Sequence, residues 1–190
     1  MTICDKADKN RGIFEFVEKI VAIGDLHGDI VKLLSILQHA KLIKKIFKEE
    51  QMKPSCFTSK DYNCKEWEWT GGNTVCVQLG DIFDGKSRGQ GDPKFEDNEV
   101  EIYKFLVELK KKANKVGGDV LLILGNHELM NIQHDFRYVS NKSQLKCFSK
   151  NDSNSTENYS YTHSKQICTN DRKKLFDKDS ILLQSMSKNM

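Results

Sequence analysis

The chain has 190 residues, which is long enough for one sizeable hydrophobic core and, as a prior, for about one domain. Its formal net charge of +3 is far below the concentrated positive charge of nucleic-acid-binding proteins, so no nucleic-acid partner is expected. The sequence has no apolar run of about 18 residues or more and no apolar signal segment near its N-terminus, so neither a membrane span nor secretion is expected. We therefore predict an intracellular, cytoplasmic protein whose six cysteines are reduced thiols.

The first half of the chain predicts two strands with a helix between them. The stretch KIVAIG (19–24) is a short apolar run closed by glycine, which is typical of a buried strand. DIVKLLSILQHAKLI (29–43) has its apolar residues at helical spacing. TVCVQLG (74–80) follows WEW and the turn sequence TGGN, and together they predict a hairpin that feeds a strand. Residues 44–63 are lysine-rich and weakly periodic, and we interpret them as an irregular insertion.

The second half predicts another helix and another strand. EVEIYKFLVELKKKANKV (99–116) has one apolar stripe and collects its lysines at the C-terminal end, where they suit the helix dipole. DVLLILG (119–125) is a further buried strand. We assign residues 1–140 to the folded domain and residues 141–190 to a polar, flexible tail, in which KLFDKDSILLQSM (174–186) can form a short helix.

The order strand, helix, strand, helix, strand predicts an α/β fold with a parallel sheet and helices packed on it. Each predicted strand ends in a glycine followed by polar residues, in GDLHG (24–28), GDIFDG (80–85) and GNHE (125–128). Ligands of such sheets bind beyond the carboxyl ends of the strands, so these segments are expected to form one site. The alternative is that their aspartate, asparagine and glycine residues only form turns and caps.

The side chains of these segments suit a pair of metal ions. Asp25 and His27 lie two residues apart beyond a strand, so they can bind one ion together. Asp81, from the next strand, can bridge that ion to a second one, to which Asn126 offers a neutral oxygen. This mixed set of oxygen and nitrogen ligands suits manganese, iron or zinc. Two such ions, about 3.5–4 Å apart, can share a hydroxide that attacks a phosphoryl group in line.

His127 and Asp84 have a different predicted role. His127 can protonate the leaving oxygen as a general acid. Asp84 can orient the His127 imidazole, as the buried aspartate of a catalytic triad orients its histidine. These roles explain the spacing in GDIFDG, because Asp81 is expected to bind metal and Asp84 is expected to orient His127.

The three motifs in this order resemble the calcineurin-like metallophosphoesterase family, which includes the serine/threonine protein phosphatases. The stretches WTGGNTVCVQLGD (69–81) and LGNHELMNIQHDFRYVS (124–140) are most similar to the Shewanella-like phosphatase subgroup. The resemblance implies the N-terminal part of a four-layer α/β-β/α sandwich. It also implies metal ligands at Asp25, His27, Asp81 and Asn126, a catalytic histidine at His127 and its carboxylate partner at Asp84.

The substrate-binding residues depart from the family pattern. In the phosphatases an arginine that binds the substrate phosphate follows the second aspartate of the GDIFDG segment, whereas this chain has Gly85 there. We assign phosphate binding to Arg88, with Lys86 as an alternative for the same place. Arg137 is a second substrate-binding candidate, on the resemblance and on the bidentate fit of guanidinium to phosphate.

The ligands of the second metal ion are a further departure. The family supplies two histidines from its C-terminal half, in H-G-G-like and G-H contexts, and this sequence has neither. His134 and His163 are the only histidines after the third motif, and both are weak substitutes. We therefore expect the C-terminal half of the fold to be missing, the second sheet to be incomplete and the second metal site to be poorly occupied.

These observations predict a metal-dependent phosphomonoesterase that acts on a phosphoprotein or a small phosphoester. The first alternative is a phosphodiesterase or nucleotide pyrophosphohydrolase on the same scaffold, because the metal ligands do not set the substrate. The second alternative is a truncated remnant of low activity that binds one metal ion or a partner.

Overall fold

The computed structural model describes residues 17–46, 66–85, 98–140 and 172–189. Lys86, Arg88, His163 and five of the six cysteines lie outside these ranges, so what the sequence predicts for them stays a prediction. The strands are β1 (Ile20–Ile23), β2 (Ile43–Lys45), β3 (Trp67–Trp69), β4 (Val75–Gln78) and β5 (Asp119–Leu122). The helices are α1 (Ile30–His39), α2 (Glu99–Asn114), α3 (Asn126–Ile132), α4 (residues 172–176) and α5 (Ile181–Asn189).

β1, β4 and β5 form a three-stranded sheet in the order β1-β4-β5, and both pairings are parallel. The register aligns Ile20 with Val75 and Val75 with Asp119, so the carboxyl ends of the three strands lie at one edge. The predicted α/β fold with a parallel sheet is confirmed, and a second, smaller sheet accompanies it.

The sheet has one covered face and one open face. Residues that alternate along the strands, such as Ile23, Cys76 and Val120, are buried in the core that the sheet shares with the helices. On the other face, the apolar side chains that follow β4 and β5 remain exposed, with Leu79 at 50% and Ile123 at 46%. None of the helices in the described ranges combines the length and the apolar character that a membrane crossing requires.

α1 begins at its N-cap residue Asp29, whose carboxylate accepts a hydrogen bond from the backbone N–H of Lys32 at 2.9 Å. The predicted apolar stripe is buried, namely Ile30, Leu33, Leu34 and Leu37. The helix ends earlier than predicted, because Lys41 takes a left-handed φ of 60° and Ile43 pairs with Trp69. The irregular insertion predicted from residue 44 is therefore wrong at its start, since residues 43–45 form β2.

α2 follows the sequence prediction closely. The predicted stripe is buried along its length, at Ile102, Phe105, Leu106, Leu109 and Ala113. Lys110 ties the helix to the sheet, since its ammonium donates to Asp119 Oδ1 at 2.7 Å and to the Val120 carbonyl at 2.9 Å.

The predicted hairpin between WEW and TVCVQLG is wrong. β3 pairs antiparallel with β2 in the small sheet, with Ile43 opposite Trp69, and β4 belongs to the other sheet. Both edges of β4 are taken by its parallel neighbours, so β3 has to pair elsewhere. Trp67 and Trp69 are buried in the core.

The C-terminal helices pack on the same core. Phe176 in α4 and Met186 in α5 are almost fully buried. The Phe176 ring meets Phe83 edge to face, with 5.3 Å between the centroids. Tyr103 in α2 and Ser185 in α5 share a hydrogen bond of 2.8 Å between their hydroxyls. The predicted helix over 174–186 is in fact two helical pieces joined by a turn, in which the Ser180 N–H donates to the Asp177 carbonyl at 2.8 Å.

Candidate active site

Three loops follow the parallel strands, and backbone hydrogen bonds join the first two. The N–H groups of Leu26 and His27 both donate to the Asp81 carbonyl at 3.0 Å. The Gly28 N–H donates to the Ile82 carbonyl at 2.8 Å. The GDLHG and GDIFDG segments therefore form one rigid unit at the edge of the sheet.

The strand ends approach one another closely. Gln78 is fully buried, and its amide donates to the Gly80 carbonyl at 2.7 Å and to the Gly24 carbonyl at 3.3 Å. A Cβ at Gly80 would collide with the backbone of Gly125, and a Cβ at Gly125 would collide with the Asp81 carboxylate. Glycine at these two positions is what allows the loops after β4 and β5 to meet.

Glu128 joins the second loop to the third. Its carboxylate is fully buried and accepts four backbone N–H groups: Asp81 at 2.8 Å, Ile82 at 2.8 Å, Phe83 at 3.3 Å and Gly125 at 2.7 Å. The last of these bonds belongs to the capping box that starts α3. Glu128 lies in the GNHE segment but was not predicted as a site residue, although a glutamate at the third helical position is a recognised capping signal.

Potential metal ligands converge at this edge. His27, Asp81 and His127 each offer one ligand atom, and these atoms lie within 4.8 Å of one another. His27 Nδ1 lies 3.0 Å from the Phe83 carbonyl, which holds the imidazole in place. One carboxylate and two imidazoles form a mixed oxygen and nitrogen donor set that fits a divalent ion such as manganese, iron or zinc.

The predicted ligands Asp25 and Asn126 lie beside this group. Asp25 Oδ2 is 3.7 Å from His27 Nε2, and the Asp25 side chain is 64% exposed. Asn126 is exposed at the first residue of α3, next to His127 in the chain. Asp81 Oδ1 accepts the His127 backbone N–H at 3.0 Å, which connects the second and third motifs directly. The division of these residues between two ions stays a prediction.

The predicted acid and its partner are in contact. His127 Nδ1 lies 2.9 Å from Asp84 Oδ2, and both side chains are buried. A carboxylate accepts, so Nδ1 donates in this bond and Nε2 is the nitrogen that remains for chemistry. The Tyr138 ring packs against the imidazole, with 5.3 Å between the ring centroids.

A buried polar cluster surrounds the Asp84 carboxylate. Asn131 Nδ2 donates to both of its oxygens, at 2.9 and 3.0 Å, and Arg172 Nη2 donates to Oδ1 at 3.0 Å. Burial raises the pKa of the Asp84 carboxyl, the Arg172 charge opposes this rise and the Glu99 charge adds to it. The hydrogen bonds from Asn131 and His127 lower the same pKa, so the net rise reflects burial first.

The other members of this cluster were not predicted from the sequence. Asn131 lies four residues after His127 on α3, and that spacing puts both on one helix face, which was an available signal. Glu99 opens α2 and looks like an ordinary acidic residue of a first turn. Arg172 comes from the segment interpreted as a polar tail, and nothing in its local sequence distinguishes it.

The candidates for substrate binding are less well placed. Arg137 is 67% exposed and pairs with Asp135, with 2.7 Å between Nη2 and Oδ2. The hydrogen bond from Arg137 lowers the pKa of the Asp135 carboxyl. Arg137 precedes Tyr138, whose ring packs on His127, and among the described residues its guanidinium bonds to Asp135. His134 pairs with Asp177 at 3.4 Å and lies apart from the metal-ligand group.

Three of the site residues have a strained backbone. His27, Asp81 and Asp84 have φ angles of 48°, 57° and 67°, in the left-handed region that favours glycine. Each such residue costs about 1 kcal/mol or more, and strain of this kind concentrates at functional sites. The strain turns the side chains of the loops after β1 and β4 toward the metal-ligand group and the buried cluster.

This fold and this set of side chains are those of a phosphoesterase. The sequence profile of the calcineurin-like phosphoesterase family matches residues 18–186, and the chain belongs to that family. Calcineurin-like phosphoesterases bind divalent metal ions, and His27, Asp81 and His127 are a candidate group for one of them.

Two curated relatives are phosphatases by name. The chain is 41% identical over 129 residues to Shewanella-like protein phosphatase 2 of Arabidopsis thaliana, covering 68% of this chain and 25% of that protein. It is 39% identical over 136 residues to Shewanella-like protein phosphatase 1 of Plasmodium berghei, covering 72% of this chain and 29% of that protein. Among solved structures, the cold-active protein-tyrosine phosphatase of a psychrophilic Shewanella species is 29% identical, with a TM-score of 0.47, over 67% of this chain and 29% of that chain. The chain thus spans about a quarter of the length of the curated relatives it matches.

Proposed function

We propose that this chain carries the metal-binding and acid-base part of a phosphoric-ester hydrolase whose substrates are phosphomonoesters. The observation that carries the proposal is the buried hydrogen bond of 2.9 Å between His127 and Asp84, next to the group formed by His27 and Asp81. Family membership supports the reaction class, and the names of the relatives support phosphorylated substrates. Phosphoproteins and small phosphoesters both remain within the proposal.

The proposed ligands of the metal are Asp25, His27, Asp81 and Asn126. A bound divalent ion supplies an activated water and neutralises charge on the phosphoryl oxygens. The hydrogen bonds between the loops and the bonds to the Glu128 carboxylate fix the backbone that carries these ligand residues. Of these proposed ligands, His27 and Asp81 lie in the metal-ligand group of the described residues, so we expect one tightly held ion and a weaker second site.

His127 is the proposed general acid. Its Nδ1 is engaged by Asp84, which fixes the ring and leaves Nε2 to give a proton to the leaving oxygen. The carboxylate also stabilises the imidazolium from which that proton comes. One imidazole nitrogen cannot bind an ion and carry a proton at the same time, so the role of His127 decides whether it belongs to the ligand set.

The proposed contacts with the substrate are Arg137 and Arg88. Arg137 is exposed beside the ring of Tyr138, and a guanidinium binds two phosphate oxygens at once. A phosphomonoester carries two negative charges, so it gains more from such contacts than a diester does. That difference favours the monoesterase over the phosphodiesterase alternative.

The proposal is tested by hydrolysis assays on the purified chain with added manganese. We expect p-nitrophenyl phosphate to be cleaved faster than bis(p-nitrophenyl) phosphate. The matched control is Asp81→Asn, which keeps the size of the side chain and removes its charge. If neither ester is cleaved above the level of this control, the enzymatic proposal for this chain is wrong.

A second candidate function is a metal-binding module of low activity. It is favoured by the single group of three ligands in the described ranges. Metal content measured on the purified chain separates the two proposals, since the hydrolase predicts close to two ions per chain at saturating manganese and the module predicts one.

A further inference from the structure

We infer that Arg172, in α4, is a positioning residue for the Asp84–His127 pair. This inference deepens the proposed function and rests on it for its kinetic test. Arg172 is the only buried arginine among the described residues. Arg172 is 7% exposed, and its guanidinium points into the cluster behind the site.

Arg172 compensates the negative charge of two buried carboxylates. The Asp84 and Glu99 side chains are 0% and 4% exposed, and the Asp84 N–H donates to Glu99 Oε2 at 2.9 Å. Two like charges in a protein interior require a compensating charge with good hydrogen-bond geometry. Arg172 supplies it from a distant part of the chain.

All three nitrogens of the guanidinium have separate partners. Nη2 donates to Asp84 Oδ1 at 3.0 Å, Nη1 donates to Glu99 Oε1, and Nε donates to Asn131 Oδ1 at 2.8 Å. A planar fork of this kind fixes the direction of every group it touches. A lysine at the same position carries the same charge but cannot reproduce three contacts in one plane.

These contacts set the orientation of the His127 ring. Because Asn131 Oδ1 accepts from Arg172, the Asn131 amide nitrogen is turned toward Asp84, where it donates to both carboxylate oxygens. Asp84 Oδ1 is shared by Arg172 and Asn131, which leaves Oδ2 directed at His127 Nδ1. The same Asn131 nitrogen also donates to the His127 carbonyl at 2.8 Å, so ring and backbone are fixed together.

The helical segment is held by other contacts as well. Phe176 packs on Phe83, Met186 is buried, and Ser185 bonds to Tyr103. The guanidinium of Arg172 lies over the Phe176 ring, 5.6 Å from its centroid. A conservative change at Arg172 therefore removes the fork while the segment keeps its packing.

The kinetic test compares Arg172→Lys with the unchanged chain on phosphate monoesters of increasing leaving-group basicity, from p-nitrophenyl phosphate through phenyl phosphate to a phosphoserine peptide. Displacement of the general acid lowers the rate most for esters whose leaving oxygen has to be protonated as it departs. We expect kcat to fall about 100-fold or more for the phosphoserine peptide, much less for p-nitrophenyl phosphate, and KM to change little. Asp84→Asn is expected to give the same dependence. An equal loss for all esters, or no loss, would overturn the inference.

A second measurement does not depend on activity. Nitrogen-15 NMR of the His127 ring reports which nitrogen carries the proton. We expect one tautomer, with Nδ1 protonated, in the unchanged chain and a mixture in Arg172→Lys. Identical ring signals in both proteins refute the positioning role. Absence of hydrolysis by the unchanged chain would instead count against the proposed function alone.

Two further variants control for folding. Ser185→Ala breaks the contact between α5 and Tyr103 without touching the cluster, so any loosening of the segment is expected to leave the leaving-group dependence and the ring signals unchanged. If circular dichroism shows that Arg172→Lys is unfolded, the double variant Arg172→Gln with Glu99→Gln removes one buried charge of each sign. We expect it to show the same two effects, and their absence there overturns the inference.

Discussion

Glu128 offers the sharpest test of how the site is built. The substitution Glu128→Gln keeps the size and shape of the side chain but replaces one acceptor oxygen by an NH₂ group. In the structure, Oε1 accepts from Ile82 and Phe83, and Oε2 accepts from Asp81 and Gly125. Whichever side the amide nitrogen takes, two buried N–H groups lose their acceptor and face a donor instead.

The size of the effect follows from those two lost bonds. A hydrogen bond to a charged acceptor contributes about 1.5–3 kcal/mol, so the free energy of unfolding should fall by about 3–6 kcal/mol. A domain of ordinary stability has about 5–15 kcal/mol in total, so this loss is a large fraction of the free energy of unfolding.

The assay is urea unfolding followed by tryptophan fluorescence, because Trp67 and Trp69 are buried and report the loss of the core. The matched control is Glu108→Gln on the exposed face of α2, where the carboxylate pairs only with Lys111 in the described structure and a change of at most about 1 kcal/mol is expected. If Glu128→Gln lowers the free energy of unfolding by less than about 1 kcal/mol, the carboxylate does not hold the loops together as we argue.

Three other predictions concern the thiol, the glycines and the C-terminal segment. Burial raises the pKa of the Cys76 thiol from 9.0 to about 12, so the folded chain keeps a proton that the unfolded chain loses, and stability falls as the pH rises through this window. At about pH 10 the free energy of unfolding is expected to be about 1.4 kcal/mol lower because of this thiol. Urea unfolding at several pH values should show that Cys76→Ala lacks this fall in stability with pH. The same fall with pH in both proteins would contradict the prediction. Gly125→Ala pushes a Cβ into the Asp81 carboxylate and should weaken manganese binding about 10–100-fold by calorimetry, whereas Gly24→Ala, where the Cβ meets nothing within 4 Å, should bind as before. Equal affinities for the two alanine variants would show that the glycine is not needed for the ligand geometry. Phe176→Ala removes a buried ring and should cost about 3–5 kcal/mol in urea unfolding, while a cost near zero would mean that the segment does not pack on the core in solution.

Local pattern was enough to predict the sheet and its helices. The sequence alternates short β-branched runs that end in glycine with apolar stripes at helical spacing. This alternation indicates a parallel sheet with helices between its successive strands. The pairing of β2 with β3 was not predictable in this way. β2 is only three residues long, and periodicity carries no information about which of several strands a given strand will meet.

The site was predictable where its chemistry lies on the strand ends and not where it depends on tertiary packing. Asp84 and His127 were paired from their motifs, and the structure places them in hydrogen-bond contact. Glu128 and Arg172 were missed because a buried charged residue reads in sequence like a solvated one. Only the folded chain shows that each satisfies several buried polar groups.

The left-handed conformations of His27, Asp81 and Asp84 have a consequence for how this chain changes over time. At these three positions glycine would relax the backbone by about 1 kcal/mol, and the same exchange would delete a side chain that the proposed chemistry requires. Stability and activity therefore oppose each other residue by residue, rather than through the fold as a whole. In a lineage not selected for the proposed phosphoester chemistry, we expect these positions to be among the earliest to drift.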